Sequence, residues 1–352
     1  MFGRFVFVAL LLVSYDGLCQ NLGFSLADGK TKVQIPIEIH NNLIVVPVVL
    51  NGALPLKFIL DTGVRTAILT QKSFTDILNL SYSRKYTISG PGGEKLVDAY
   101  ITNNVSIELP GVSGRGHAML VLEEDYLELR NYLGTDVHGI LGYEIFSRFI
   151  VKIDYERKFL VLMAPERFKP RRKYHRVPIR IEDTKPYVTT PIVLDDGTQF
   201  TAKLLVDSGA SHGLMLDPES DSRINVPANA VSSVIGRGIG GEITGKVGRI
   251  QCLHLGPFQL KEAIANFPDP NSYFDSLKLG TTPRNGAIGG ETLSRFTVVF
   301  NFPKEEMYLK KNHAFKKGFH YNLSGITVKA KGAHLEVFEI TSVRKQSAAD
   351  KA

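Results

Sequence analysis

Cysteine is scarce in this 352-residue sequence, which contains Cys19 and Cys252 alone. If an N-terminal signal segment is cleaved after Cys19, a single cysteine remains and no internal disulfide can form. A hydrophobic core must then supply the stability. The nine histidines and Cys252 show no metal-ligand spacing, so we expect neither a metal site nor a cofactor.

Long apolar runs are also missing. The apolar stretch 5–13 is far shorter than the roughly 20 residues that cross a bilayer. It follows Arg4 and precedes the small residues of a cleavage site, which is typical of a signal peptide over residues 1–19. We therefore expect an exported protein without an integral membrane span. A lipid anchor at Cys19 is an alternative that the bulky Leu18 disfavours, and a removed propeptide stays open.

No large excess of one charge marks the chain. The formal net charge is +7, and the basic residues are scattered except for a run at 167–176. This distribution does not predict a nucleic-acid site. The basic run lies in the segment 164–178, which contains three prolines and reads as a solvated linker rather than a site for an acidic partner.

Helical periodicity is scarce, and short apolar runs separated by turn residues dominate. Such runs predict strands at 43–50, 57–60, 150–153, 159–162, 188–194, 200–206, 297–302 and 307–310. Short helices are plausible at 71–80, 144–149 and 291–296. The sequence therefore predicts an all-β protein with few short helices.

Two segments of the chain repeat at nearly one offset. FILDTG at residues 58–63 recurs as LLVDSG at 204–209, and GILGYEIFSRF at 139–149 recurs as GAIGGETLSRF at 286–296. Two separate repeats with the same spacing indicate duplication of a whole lobe. We predict an N-terminal lobe at 20–163 and a C-terminal lobe at 179–316, joined by the linker at 164–178.

These paired motifs resemble the single-chain, two-lobed members of the pepsin and retropepsin class of aspartic proteases. The resemblance spans about residues 42–310 and implies a bilobal acid-protease fold with β-barrel-like lobes. It also implies that Asp61 and Asp207 form a catalytic pair that holds the attacking water. The substrate would be a peptide or protein, and one monomeric chain would be the active unit.

The residues beside the two aspartates would support the pair. Gly63 and Gly209 let two backbones approach where a Cβ would obstruct them. By the resemblance, the hydroxyls of Thr62 and Ser208 cross-link the two loops, and Ser211 supports its carboxylate. Two carboxylates about 3 Å apart at an effective dielectric of about 20 repel by roughly 5 kcal/mol, so they would share one proton.

Each half also carries a glycine-rich hairpin between its aspartate and its later glycine motif, at 86–100 and 232–250. They lie where the family's mobile flaps lie, and the alternative is a pair of ordinary surface hairpins. The predicted substrate-binding glycines of these hairpins are Gly90, Gly92, Gly93, Gly238, Gly240 and Gly241.

One departure from the family pattern concerns Val64 and Arg65, where a small residue and then Ser or Thr is usual. Arg65 could be exposed, or it could lie near the pair and lower its pKa. The departure leaves a second function open, namely a catalytically degenerate peptide-binding protein on the same fold.

Two other motifs are misleading. GASHG at 209–213 spells a serine-hydrolase nucleophile elbow, but the strand and helix alternation that this motif needs is absent. We therefore interpret His212 as a polar neighbour of the site rather than a base. GRGIGG at 236–241 matches a dinucleotide motif, but a β-like segment follows where a helix is required.

The C-terminal residues 317–352 change character, and LEVFEITSV at 335–343 is similar to the opening of a PDZ domain. The segment is too short for an independent core, and we expect it to be poorly ordered by itself. PDZ domains bind peptide ends by strand addition.

Overall fold

The structure is a computed structural model that describes residues 22–92, 95–270 and 282–352. The predicted signal peptide at 1–19 lies outside these residues. Strands dominate and are arranged in two similar lobes, so the predicted all-β bilobal fold is confirmed.

The bounds of the elements follow the chain. The strands are β1 Gly23–Leu26, β2 Lys32–Pro36, β3 Glu38–His40, β4 Leu43–Leu50, β5 Leu54–Leu60, β6 Ala67–Leu69, β7 Tyr82–Ile88, β8 Val97–Leu109, β9 Val112–Leu122, β10 Gly139–Leu141, β11 Ile150–Asp154, β12 Phe159–Met163, β13 His175–Pro178, β14 Arg180–Glu182, β15 Lys185–Val193, β16 Gln199–Val206, β17 Leu214–Leu216, β18 Val231–Gly238, β19 Gly241–Arg249, β20 Cys252–Leu255, β21 Phe258–Lys261, β22 Ile264–Pro268, β23 Gly286–Ile288, β24 Phe296–Asn301, β25 Glu306–Lys311, β26 Ile326–Lys331 and β27 Val337–Val343. The α-helices are α1 Ser73–Ile77, α2 Leu129–Leu133, α3 Tyr143–Arg148 and α4 Gly290–Leu293.

The N-terminal lobe is a nine-stranded sheet that closes on itself. Its strand order is β1-β9-β6-β10-β5-β4-β8-β7, with β3 beside β4, and an additional pairing of β8 with β9 completes a ring. β4 is buried on both faces over most of its length, which is why it reads as one apolar run rich in valine. Ring closure leaves few unpaired strand edges.

The C-terminal lobe repeats this pattern with β15, β16, β23, β17 and β22 in the places of β4, β5, β10, β6 and β9. β16 is parallel to β23, as β5 is to β10. The counterpart of the long β8 is divided here into β19 and β20, which are separated by Ile250 and Gln251. The duplication predicted from the repeats is therefore visible in the strand order.

A third sheet belongs to both lobes. Its order is β13-β25-β24-β11-β12-β2, so three strands come from each side of the repeat. β11 and β24 are antiparallel neighbours, with Val151 opposite Phe300. The Phe146 ring stacks on Phe302 at 5.2 Å between centroids, within one continuous hydrophobic core. This shared core fixes the two lobes against each other.

The segment predicted as a linker is partly structured. It begins with a short 3-10 turn, Pro165–Arg167, and its last four residues form β13 at the edge of the shared sheet. The basic residue Arg176 of β13 pairs with Glu306 at 2.9 Å. A prediction from composition missed this strand because its partner β25 is distant in sequence.

The helices are few and short, as expected. α1, α3 and α4 lie within or beside the predicted segments, whereas α2 had no periodic signal and was not predicted. Gly134 ends α2 in a left-handed conformation with φ 63°. Among the described helices, none has the length and apolarity that a membrane crossing requires.

The C-terminal segment is not isolated but contacts the N-terminal lobe. β26 and β27 form an antiparallel hairpin that packs on α2 of the N-terminal lobe. The side chain of Arg130 donates to the carbonyls of Gly332 and Ala333 at 3.1 and 2.6 Å, and Asn131 donates to Ala330 at 2.7 Å. These contacts supply the order that an isolated hairpin lacks.

Candidate active site

Each candidate catalytic aspartate follows the last residue of a central strand. Asp61 follows β5, and its backbone N–H donates to the carbonyl of Leu141 at 2.8 Å. Asp207 follows β16 and donates in the same way to Ile288 at 2.8 Å. Because the neighbouring strands β10 and β23 are parallel to β5 and β16, each aspartate is held at the carboxyl edge of two paired strands. The two side chains are therefore presented by rigid supports.

Two buried hydroxyls join the aspartate loops. The Thr62 hydroxyl donates to the carbonyl of Val206 at 2.6 Å and accepts the N–H of Ser208 at 3.0 Å. The Ser208 hydroxyl donates to the carbonyl of Leu60 at 2.9 Å and accepts the N–H of Thr62 at 3.1 Å. This reciprocal set satisfies buried polar groups of both loops at once and fixes their separation.

The glycines after the hydroxyl residues allow the carboxyl groups to approach. The N–H of Gly63 donates to Asp61 Oδ1 at 2.6 Å, and that of Gly209 donates to Asp207 Oδ1 at 2.9 Å. A Cβ on Gly209 would lie 2.2 Å from the carboxyl carbon of Asp61, whereas a Cβ on Gly63 would lie 3.1 Å from the nearest carboxyl oxygen. The site therefore needs glycine most strictly at position 209.

The two carboxyl groups lie side by side, since a Cβ built on Gly63 would lie 3.1 Å from Asp61 Oδ1 and 3.5 Å from Asp207 Oδ1. Burial, followed by the charge of Asp207, raises the pKa of Asp61 well above its ordinary value. The Gly63 N–H and the charge of Lys185 lower that pKa but do not outweigh burial. The pair is therefore suited to carry one proton.

The pair lies on the floor of a cleft of about 750 Å³ between the lobes. Apolar side chains from both lobes supply most of its walls, and they include Leu43, Ile59, Ile68, Leu127, Tyr132, Ile140, Leu205, Met215, Ile235, Ile239 and Ile243. Such a concave, largely apolar site with a few convergent polar groups is typical of ligand binding.

The tips of two long hairpins meet above the cleft. The first hairpin is β7–β8 and the second is β18–β19. The N–H of Gly240 donates to the carbonyl of Pro91 at 2.9 Å. A Cβ on Gly238 would lie 2.1 Å from the Pro91 oxygen, and a Cβ on Gly92 would lie 2.0 Å from that of Gly241. The glycines thus allow backbone to touch backbone.

Two of the other predicted glycines need separate mention. Gly90 faces Ile239, since a Cβ built on Gly90 would lie 3.2 Å from the Ile239 Cβ. Gly93 lies outside the described residues. Of the six glycines proposed from the sequence, the described ones are therefore gathered at the contact between the two hairpins.

The sequences of both lobes match the model of a known protein family. The family model described as aspartyl protease matches residues 46–145 and 190–292, which together exceed half of the chain. The chain belongs to the aspartyl protease family. Each matched segment contains one aspartate motif and the later glycine motif of its lobe. A search of curated proteins finds no match.

The departure from the family pattern at Arg65 has a structural explanation. The Arg65 side chain is 72% exposed and faces Asp183 of the other lobe at 4.0 Å. The positive charge that lowers the pKa of Asp61 comes from Lys185 instead. Of the two positions considered for Arg65, the structure shows the exposed one.

Ser211 and His212 lie on the cleft wall beside Asp207. The carbonyl of Ser211 accepts from the Asn42 side chain at 3.3 Å, but in the described part of the chain no hydrogen bond joins its hydroxyl to Asp207. The support role of Ser211 therefore stays a prediction. Burial lowers the pKa of His212 to about 4, against the opposing effect of the Asp207 charge. This neutral imidazole agrees with our interpretation of a polar neighbour.

The sequence did not point to three further parts of the protease cleft. Asn41 forms part of one tight turn beside the aspartates, and Lys185 follows another. Residues 326–328 of the C-terminal hairpin form one part of the wall. The repeats gave no signal for Lys185, because the offset of 146 residues between the aspartates places Lys185 opposite Ile39 rather than Leu43. The C-terminal hairpin gave no signal either, because its contacts with α2 and the cleft connect distant segments.

Proposed function

We propose that this chain is an aspartic endopeptidase that hydrolyses peptide bonds with a water activated between Asp61 and Asp207. The observation that carries the proposal is the buried, adjacent carboxyl pair on the floor of an apolar cleft, beneath two hairpins that meet. Burial and mutual repulsion favour the singly protonated pair, which is the form that such chemistry needs.

The proposed reaction uses the pair as acid and base together. The ionised carboxyl group takes a proton from the bound water, and the oxygen of that water attacks the carbonyl carbon of the peptide. The protonated carboxyl group donates its proton to the carbonyl oxygen, which gives a neutral tetrahedral diol. The carboxyl group that took the proton of the water then donates it to the amide nitrogen, and the other carboxylate takes a proton from a diol hydroxyl. The carbon–nitrogen bond breaks to give a carboxylic acid and an amine, and the pair again carries one proton. Since the proton belongs to the pair, neither role is assigned to one residue.

The two long hairpins would act as flaps. Their contact between Gly240 and Pro91 closes the roof of the cleft, so a peptide can enter from above when the tips separate. Once the tips close again, their backbone groups can bind an extended peptide and exclude water from the carboxyl pair. The apolar walls favour substrates with apolar side chains around the cleaved bond.

The experiment is cleavage of a diverse peptide library between pH 3 and pH 8 by the wild type, Asp61→Asn and Asp207→Asn. The exposed carboxylate Asp195 offers a matched control, since Asp195→Asn makes the same chemical change outside the cleft. We expect cleavage by the wild type and the control, and a loss of at least about 1,000-fold in both cleft variants.

The same experiment decides between the peptidase and a catalytically degenerate peptide-binding protein. Peptide affinity without turnover at any pH, from a wild type that is folded by circular dichroism, would favour the binding protein. The exposed position of Arg65 gives no support to that alternative, because its side chain faces Asp183 rather than the carboxyl pair.

We also propose that the protein is exported and acts as a monomer. The proposals rest on the signal-like residues 1–19 and on the presence of both aspartates in one chain. N-terminal sequencing of the mature protein would test cleavage near Cys19, and mass analysis would detect a lipid there. Light scattering at working concentration tests the monomer.

The PDZ-like reading of the C-terminal segment is a proposal as well. Its support is the sequence LEVFEITSV and the β-hairpin that this segment forms. The exposed apolar side chains of β27, among them Val337, Phe338 and Ile340, would then pack against further strands. Expression of the complete coding sequence would test it, because packing of β27 against further strands would slow amide exchange across 337–343.

A further inference from the structure

Two tight hairpins flank the carboxyl pair in equivalent positions of the lobes. β3–β4 turns at Asn41 and Asn42, and β14–β15 turns at Asp183 and Thr184, all four with left-handed φ between 45° and 68°. Val45 lies opposite Ile59 and Tyr187 lies opposite Leu205, so the two registers correspond. The first residues after the turns, Leu43 and Lys185, are therefore counterparts, and both line the cleft.

The chemistry of these two counterparts differs. Leu43 is buried and packs with Val45 and Ile59 in an apolar cluster. Lys185 places a cation at the same position of the other lobe. The duplicated cleft is thus apolar on one side and basic on the other.

Lys185 also differs from Arg237, another basic residue of the cleft. Arg237 pairs with Glu128 at 3.2 Å and with Glu242 at 3.8 Å, so its charge is compensated within the protein. For Lys185, no ion pair is present within residues 22–92, 95–270 and 282–352. A cation in a largely apolar cleft, without a carboxylate of its own, is a site for an anionic group of a ligand.

Neighbouring contacts hold Lys185 in place. The turn before it is tied to the N-terminal lobe by the ion pair between Asp183 and Arg65 at 4.0 Å. The strand that it begins is held by seven paired positions with β16, from Tyr187 to Val193. Arg284 lines the same cleft near Tyr187, two residues after Lys185.

We propose that Lys185 determines substrate specificity by binding a carboxylate of the peptide close to the cleaved bond. The inference rests on the proposed peptidase function and specifies its substrates as extended peptides with one acidic group among apolar residues. The carboxylate could belong to an Asp or Glu side chain or to the peptide's C-terminus. The effect of Lys185 on the pKa of Asp61 indicates that its charge is close enough to act on a group bound at the pair.

The test uses peptides that differ by Glu, Gln or Lys at one position at a time around the cleaved bond. Each is made with a free and with an amidated C-terminus, which separates the two sources of the carboxylate. For the wild type we expect kcat/KM to be about tenfold higher for the peptide with the recognised carboxylate than for its uncharged counterpart. That counterpart is the Gln peptide for a side-chain carboxylate and the amidated peptide for a C-terminal carboxylate. Lys185→Met should bring this ratio to about one, and Lys185→Glu should favour the Lys peptide instead.

The controls address folding and general effects on charge. Lys185→Arg should keep the preference for the acidic peptide, and Lys169→Met removes an exposed cation of the linker and should change nothing. A wild type that cleaves the Glu, Gln and Lys peptides equally well, and their free and amidated forms equally well, overturns the inference. So does a Lys185→Met variant that loses the same factor on every peptide, because Lys185 would then act on the carboxyl pair alone.

Failure of the peptidase proposal would be recognised separately. If no peptide is cleaved, the affinities of the Glu and Gln peptides are measured by fluorescence anisotropy for the wild type and Lys185→Met. Tighter binding of the Glu peptide that disappears in the variant supports the carboxylate site without catalysis. Equal affinities for the Glu and Gln peptides, together with equal affinities for the free and the amidated C-terminus, overturn it.

Discussion

Thr62 and Ser208 each accept the backbone N–H of the other, at 3.1 Å for the Ser208 hydroxyl and 3.0 Å for that of Thr62. Both side chains are fully buried, so neither hydroxyl can be replaced by bulk water. This pair of contacts ties the two lobes together directly beneath the carboxyl groups.

Loss of the Thr62 hydroxyl should therefore be costly. Thr62→Val keeps the volume but leaves the Ser208 N–H and the Val206 carbonyl without their partner, so we expect unfolding free energy to fall by about 2–4 kcal/mol. Urea denaturation measures the change. Thr62→Ser retains the hydroxyl and should lose about 1 kcal/mol or less. A loss in Thr62→Ser as large as that in Thr62→Val would show that the methyl group contributes as much as the hydroxyl.

The two glycines beside the carboxyl groups should differ in how well they tolerate substitution by alanine. Gly209→Ala places a Cβ 2.2 Å from Asp61 Cγ, so the carboxyl group must move, and we expect activity to fall by at least about 100-fold. Gly63→Ala meets its nearest atom at 3.1 Å and should lose about tenfold or less. Steady-state kinetics on one peptide provides the comparison. The reverse order would contradict the geometry of the pair.

The contact between the hairpin tips predicts that two glycines of β18 differ in their tolerance of alanine. A Cβ on Gly238 would lie 2.1 Å from the Pro91 oxygen, so Gly238→Ala should prevent closure and raise KM about tenfold. Gly236 in the same strand has room, since its Cβ would meet the Ile243 side chain at 3.6 Å. Gly236→Ala should change KM by about twofold or less. A similar rise in both variants would indicate a general effect on strand β18 instead.

His212 should make stability depend on pH. Burial lowers its pKa from 6.5 to about 4, so the unfolded chain binds the proton more readily than the folded protein. The neutral imidazole therefore contributes stability that is complete above about pH 6.5 and is lost as the pH falls toward 4. His212→Asn should remove up to about 3 kcal/mol of this dependence, measured by urea denaturation from pH 4 to pH 7. Parallel curves for wild type and variant would contradict it.

Arg130 should hold the C-terminal hairpin against the N-terminal lobe. Arg130→Ala removes its hydrogen bonds to Gly332 and Ala333, so we expect amide exchange across 326–343 to become about five- to tenfold faster. Exchange in the lobes should stay unchanged. Arg176→Ala, which breaks an exposed ion pair with Glu306, is the matched control. Unaltered protection of the hairpin would show that other contacts hold it.

Much of the fold could be predicted because the relevant signals are local. The runs that became β4 and β16 are rich in Val, Leu and Ile, and turn residues bound them on both sides. The helix α2 was missed, although α1 is equally short, because residues 129–133 carry neither an apolar period nor a repeated motif. The strand β13 was interpreted as linker, since its partner β25 lies about 130 residues further on.

The sequence by itself determined the duplication, the two aspartate motifs and the need for glycine beside them, because each depends on residue type and spacing along one strand and turn. Tertiary structure alone decided that Arg65 points to Asp183, that Lys185 faces the cleft opposite Leu43, and that the C-terminal hairpin lies against α2. Those relations join segments far apart in the chain. Their energies depend on distance and burial in three dimensions, which no local pattern records.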